Sequence, residues 1–151
     1  MDEGTSMTTL FTIGFTQKTA EQFFTLLKKA GVKRILDIRL NNVSQLAGFA
    51  KRDDLRFFLR EICHADYRHL PECAPTAQIL NAFKKQKGDW RSYVEHFLAL
   101  IHTRRIENVL TLALLDHGCL LCSEATPERC HRRLVAEYMR GKMPDLRIVH
   151  L

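Results

Sequence analysis

Leu10-Phe-Thr-Ile-Gly14, then Thr19-Ala-Glu-Gln22, then Val32-Lys-Arg-Ile-Leu-Asp-Ile38 is the stretch that decides the fold. Residues 10–14 are a short apolar run with β-branched members ending at a glycine, the pattern of a buried strand. Thr19 with Gln22 three positions on has capping-box spacing, and Phe23, Phe24, Leu27 and Ala30 recur at helical period before Gly31 closes the helix. Residues 32–38 then give a second strand, stopping around Asp37 and Arg39. Strand, helix, strand in that order is a βαβ unit, and such a crossover implies parallel pairing.

Outward from this unit the pattern continues. Residues 40–52 form a polar loop carrying Asn41, Asn42, Ser44 and Gln45, longer than the median connection. Asp53 or Asp54 caps a helix with Leu55, Phe58, Leu59 and Ile62 inward, and residues 67–70 make a short strand closed by Pro71. Helices follow over 76–85 and after Gly88, the second carrying Trp90, Tyr93, Val94, Phe97 and Ile101. Residues 109–115 are assigned to a helix ended by Gly118, which leaves 119–122 as a buried strand. Thr126 and Pro127 open a last helix running to Arg140, a cap followed by proline at the first position, and 148–151 is the final strand. The expectation is an α/β fold: a mostly parallel open sheet with helices on both faces, in a single domain over 7–151. Residues 1–6, ahead of a second methionine, are set apart as a leader or tag remnant.

The chain's 151 residues suit one domain. With 46% hydrophobic and 26% charged residues, disordered, collagen-like and low-complexity classes are excluded. No apolar run approaches the ~18 residues of a membrane span, and no secretory signal pattern opens the chain. Five cysteines (Cys63, Cys73, Cys119, Cys122 and Cys130) are an odd number, which together with the missing signal predicts free thiols in a reducing cytoplasm. The net charge of +6 points to an anionic partner, a phosphorylated metabolite, nucleotide or nucleic acid, or else to charge kept for solubility. Lys84, Lys85, Lys87 and Arg91 beside Trp90 suit a solvated helix face better than a nucleic-acid footprint.

Ligands of open α/β sheets bind beyond the carboxyl ends of the strands, and here those ends carry Gly14, Asp37 with Arg39, His69, and Cys122 with Glu124. Asp37 and Arg39, two apart, share a face and either frame a pocket or pair with each other. Tyr67 and His69 also face one way, and His69 has the reference pKa of a general acid or base. A thiol at a strand end before a helix N-terminus, as at Cys122, becomes a nucleophile or a metal ligand, or is simply a small buried hydrophobe. Arg129 gives Cys-x6-Arg rather than the Cys-x5-Arg of thiol phosphatases, and no glycine turns the loop amides inward, so that chemistry is set aside. Turning 100° per residue from Pro127 puts His131 on the buried stripe with Leu134, Val135 and Tyr138, where a neutral imidazole is favoured. Arg132 at the flank suits an anion, or a salt bridge to Glu124 or Asp37. Cys122, Cys130 and His131, with Glu124 or His69 as a fourth ligand, have the donor types for a metal, though not a standard zinc spacing; no cofactor is predicted.

Cys122-Ser-Glu124-Ala-Thr-Pro127-Glu-Arg-Cys130-His131-Arg132 after an apolar strand resembles the signature of the DUF488 family, a widespread, mainly microbial set without an established function. Thr12-Ile13-Gly14, Asp37-Ile38-Arg39, Asn41-Asn42 through Gly48-Phe49, Tyr67-Arg-His69-Leu70-Pro71 and Ala74-Pro75-Thr76 resemble further parts of its pattern, over residues 9–151. Phe15 departs from it, where His or Tyr is common, as does Cys73, where an aliphatic is usual. The expected function is that of an enzyme on a small anionic, nucleotide-like or phosphorylated substrate. Cys122, Glu124 and His69 are the candidate catalytic residues. Asp37, Arg39, Asn41, Asn42, Ser44, Gln45 and Arg132 would bind the anion, with Gly14, Tyr67, Cys130 and His131 behind them. The alternatives are a non-catalytic nucleotide or nucleic-acid binding module, rhodanese-like sulfur transfer by fold-level analogy, and a Cys122/Cys130/His131 metal site.

Overall fold

The computed structural model describes residues 7–43, 48–124 and 126–151; the leader 1–6 and two candidate site residues, Ser44 and Gln45, lie outside them. The opening stretch forms β1 (Thr8–Gly14), α1 (Ala20–Ala30) and β2 (Arg34–Asp37). Thr19 Oγ1 accepts the Gln22 N–H while Gln22 Oε1 accepts the Thr19 N–H, so the capping box is reciprocal. Gly31, at φ 75°, ends the helix, where a side chain would be strained.

β3 (Asp66–His69), β4 (Gly118–Cys122) and β5 (Leu146–His150) complete an all-parallel sheet of order β3-β2-β4-β1-β5. β1 and β2 are parallel, yet they do not pair with each other as a simple βαβ unit would: β4 lies between them. Its five residues are all buried, and an apolar run without alternation is what the centre of a parallel sheet demands.

Alternation along the other strands divides the core in two. Phe11, Ile13 and Ile35, with Cys119 and Leu121 of β4, meet Phe23, Phe24 and Leu27 of α1 and Leu55 of α2 (Arg52–Phe58), which runs on into a π turn at Leu59–Cys63. Leu10, Leu36 and Leu120 point the other way, onto Tyr93, Phe97 and Ile101 of α4 (Trp90–Arg104) and Leu134, Val135 and Met139 of α6 (His131–Lys142). α3 (Ala77–Lys84), capped by Thr76, sets Ile79, Leu80 and Phe83 against this second cluster. Helices therefore cover both faces, as expected of a single α/β domain.

Several boundaries differ from the sequence pattern, and α2 starts from Lys51, with Asp53 and Asp54 inside its first turn and not capping it. α5 is only Leu112–Leu115, because Ile106–Asn108 forms a 3-10 turn and Thr111 starts a new cap with its Oγ1 on the Leu114 N–H. α6 begins at His131, not at Pro127: the Cys130 N–H turns back to the Pro127 carbonyl, and Cys130 itself is the N-cap. No helix among the described residues is long and apolar enough to cross a membrane.

Candidate active site

From β2 the chain turns outward to β3, while from its neighbour β4 it crosses to β5 on the other edge. Connections leaving in opposite directions open a crevice at the carboxyl ends of the two strands. A cavity of about 410 Å³ lies there, lined by Arg39 and Asn41 beyond β2, Cys122, Ser123 and Glu124 beyond β4, Arg129, Cys130 and His131 before and at the start of α6, and Lys84, Lys85, Trp90 and Tyr93 from the α3–α4 side. Trp90 and Tyr93 stack at 5.1 Å. Four cations face one carboxylate, Glu124, which pairs with Lys84 at 2.5 Å with each side chain a little under half exposed; the cavity is cationic.

Beneath Cys122 lies Arg132, 1% exposed. Its Nη1 donates to the Glu124 carbonyl at 2.7 Å and to Cys122 Sγ at 3.2 Å, and its Nε to Thr12 Oγ1 at 3.2 Å. Neither carboxylate expected for it, Asp37 or Glu124, pairs with it; Glu124 offers its backbone oxygen instead. Burial lowers the Arg132 pKa, offset in part by the nearby charges of Glu124 and Glu128, although a guanidinium keeps its proton. Gly14 makes this packing feasible: a Cβ there would fall 1.5 Å from the Glu124 carbonyl oxygen and 2.7 Å from Arg132 Nη1.

Cys122 and Cys130 are joined as a disulfide, their Cα atoms 7.3 Å apart. This pairing stands against the expectation that every cysteine is free: the turn ahead of α6 folds the motif back on itself and brings its two sulfurs together. Cys63, Cys73 and Cys119 are free, and burial pushes the thiol pKa of each upward, that of Cys73 to about 12. His131 Nε2 lies 2.6 Å from the Ile38 carbonyl oxygen. A carbonyl only accepts, so Nε2 carries the hydrogen. Burial holds the imidazole pKa down to about 4; the ring is neutral and Nδ1 keeps its lone pair. The donor atoms of Cys122, Cys130 and His131 all lie within 4.8 Å of one another, and a histidine fixed by a backbone carbonyl is the usual support of a metal-binding imidazole.

Of the other described candidates, Asp37, Asn42, Tyr67 and His69 stand behind the cavity and do not line it. Asp37 grips Arg39 with both oxygens, Oδ1 to Nε and Oδ2 to Nη2, each at 2.8 Å, and the pair is 0% and 2% exposed. The Tyr67 hydroxyl donates to Asp37 Oδ2, and Asn42 Nδ2 donates to the Tyr67 oxygen at 3.1 Å. Burial, then the Asp37 charge, raises the Tyr67 pKa. His69 Nε2 lies 3.1 Å from the Arg39 carbonyl. Asp37, Asn42, Tyr67 and His69 thus hold Arg39 in place, while its Nη1 is buried with no partner among the described residues. The sequence reading did not pick out Lys84, Lys85, Trp90, Tyr93, Ser123 or Arg129 as site residues. The lysine pair beside a tryptophan is the signal that marks them, and on sequence alone it suits a solvated face better.

No curated protein and no solved structure matches the chain. The family model of DUF488, a domain of unknown function, matches residues 19–139. That span runs from the cap of α1 into α6 and takes in every residue that lines the cavity. The chain belongs to the DUF488 family.

Proposed function

We propose that this protein is an enzyme acting on a small anionic substrate, with Cys122 as its nucleophile. One observation carries this: a buried guanidinium, unmatched by any carboxylate among the described residues, donates to Cys122 Sγ. A charge-assisted hydrogen bond of that kind favours thiolate over thiol once the sulfur is reduced. Arg39, Lys85 and Arg129 give the cavity its affinity for anions, and Glu124 is the proton carrier within it. Concave placement of these cations supports a small ligand over a nucleic-acid strand. In reduced Cys130→Ser protein, Cys122 should react rapidly with iodoacetamide at neutral pH and be protected by millimolar phosphate or sulfate. Labelling as slow as that of Cys63, Cys73 and Cys119 would reject the nucleophile.

Cys122, Cys130 and His131 also suit a divalent metal, which the 4.8 Å cluster and the carbonyl-held His131 support. Zinc would take two sulfurs and Nδ1, with Glu124 or a substrate atom fourth. Reduced protein would then bind one zinc per chain and lose Cys122 labelling on loading; no binding by calorimetry removes this reading.

A further inference from the structure

Taking Cys122 as the nucleophile, we infer that its substrate is a small anionic donor of sulfane sulfur, of the thiosulfate type, and that Cys130 is the thiol that resolves the product. Cys122 and Cys130 are 1% and 3% exposed, so only a small electrophile reaches them from the cavity. Arg39, Lys85 and Arg129 around it select an anion over a neutral oxidant such as hydrogen peroxide. The two sulfurs are within bonding reach, as their disulfide shows, so a group carried on Cys122 is exposed to attack by Cys130. Each sulfur has its own support for the anion: Arg132 at Cys122, and the N-terminus of the twelve-residue α6 at its N-cap, Cys130.

The chemistry balances without a cofactor. Cys122 thiolate attacks the outer sulfur of thiosulfate; the S–S bond of the donor breaks, its electron pair leaves with sulfite, and Cys122 becomes a persulfide. Cys130 thiolate then attacks Cys122 Sγ and expels the outer sulfur as hydrosulfide, closing the Cys122–Cys130 disulfide. One dithiol and one thiosulfate give one disulfide, one sulfite and one hydrogen sulfide, the two electrons coming from the cysteine pair. An external dithiol of the thioredoxin or dithiothreitol class restores the starting state.

The test uses the full chain, reduced with dithiothreitol, desalted without oxygen and mixed with thiosulfate. Wild type should release one sulfite and one sulfide per chain and lose two titratable thiols. Cys130→Ser should release sulfite alone and gain one sulfur atom in mass, whereas Cys122→Ser should do neither. Sulfite without sulfide from wild type overturns the role of Cys130. No sulfite from a protein whose Cys122 still alkylates rapidly overturns the sulfur donor and leaves the nucleophile standing; loss of both reactions removes both.

Discussion

Replacing Arg132 by methionine in reduced Cys130→Ser protein should slow alkylation of Cys122 at neutral pH by roughly 10- to 100-fold. The figure comes from the single contact between Arg132 Nη1 and Cys122 Sγ, 3.2 Å long and buried. A hydrogen bond to a charged group contributes about 1.5–3 kcal/mol, and about 1.4 kcal/mol is tenfold in the thiolate population. Arg132→Lys keeps the charge but cannot span Thr12, Glu124 and Cys122 together, so its rate should fall between the two. Stopped alkylation with iodoacetamide, followed by intact mass and peptide mapping, reads the rate at Cys122 alone, since burial suppresses Cys63, Cys73 and Cys119. Near-ultraviolet circular dichroism checks that the variants remain folded. A folded methionine variant that alkylates as fast as its parent would refute the reasoning, because nothing else in contact with Cys122 carries a positive charge among the described hydrogen bonds.

Three further outcomes follow from the packing. Asp37→Asn leaves the Arg39 charge buried and unmatched and should cost about 3–5 kcal/mol in urea unfolding, against about 1–2 kcal/mol for Tyr67→Phe, which removes one hydroxyl from the same carboxylate. Equal losses in the two variants would contradict the assignment of Asp37 as the anchor of Arg39. Gly14→Ala should lose about 3 kcal/mol or more, since the new methyl meets backbone rather than a movable side chain; a neutral midpoint would contradict that contact. His131, neutral in the fold with its pKa held down to about 4, takes up a proton more readily when unfolded. Its contribution is therefore complete above the ordinary histidine value near 6.5 and is lost as pH falls toward 4, by on the order of 2–3 kcal/mol. Urea midpoints at pH 7 and 4.5 should differ less in His131→Asn than in the parent, and an unchanged difference would count against it.

Local signals with a local cause were legible in the chain. The Thr19 cap, the Gly31 terminator and the apolar run of β4 each follow from a few adjacent residues, and each is found where the pattern put it, within a residue or two. The carboxyl edge was legible too, because parallel strands place Asp37, Cys122 and the residues after them together whatever their neighbours. Strand adjacency was not: that β4 separates β1 from β2 depends on pairings such as Ile35 with Cys119 and Phe11 with Cys119, far apart in the chain. The site divided for the same reason. Period-two alternation put Asp37 and Tyr67 on the α1–α2 side, behind Arg39, and left Cys122 with α6 on the other. Arg132 was visible as a cation near an anion site, but only packing shows that it lies under the sulfur and takes the Glu124 carbonyl. The cysteine pairing needed the turn at 126–130, which the proline signal had assigned to helix.

Because β1 and β2 touch only through β4, the first half of the chain has no finished hydrogen-bond ladder of its own between them. During synthesis, β2 leaves the ribosome about 80 residues before Gly118, a wait of roughly 4–16 s at about 5–20 residues/s. Throughout that interval the ribbon edges that will flank β4 stay open to other nascent chains. Arrival of the segment bearing Cys122 closes that gap, so the centre of the sheet and the sulfur at its carboxyl edge are set in place together, before α6 and β5 follow.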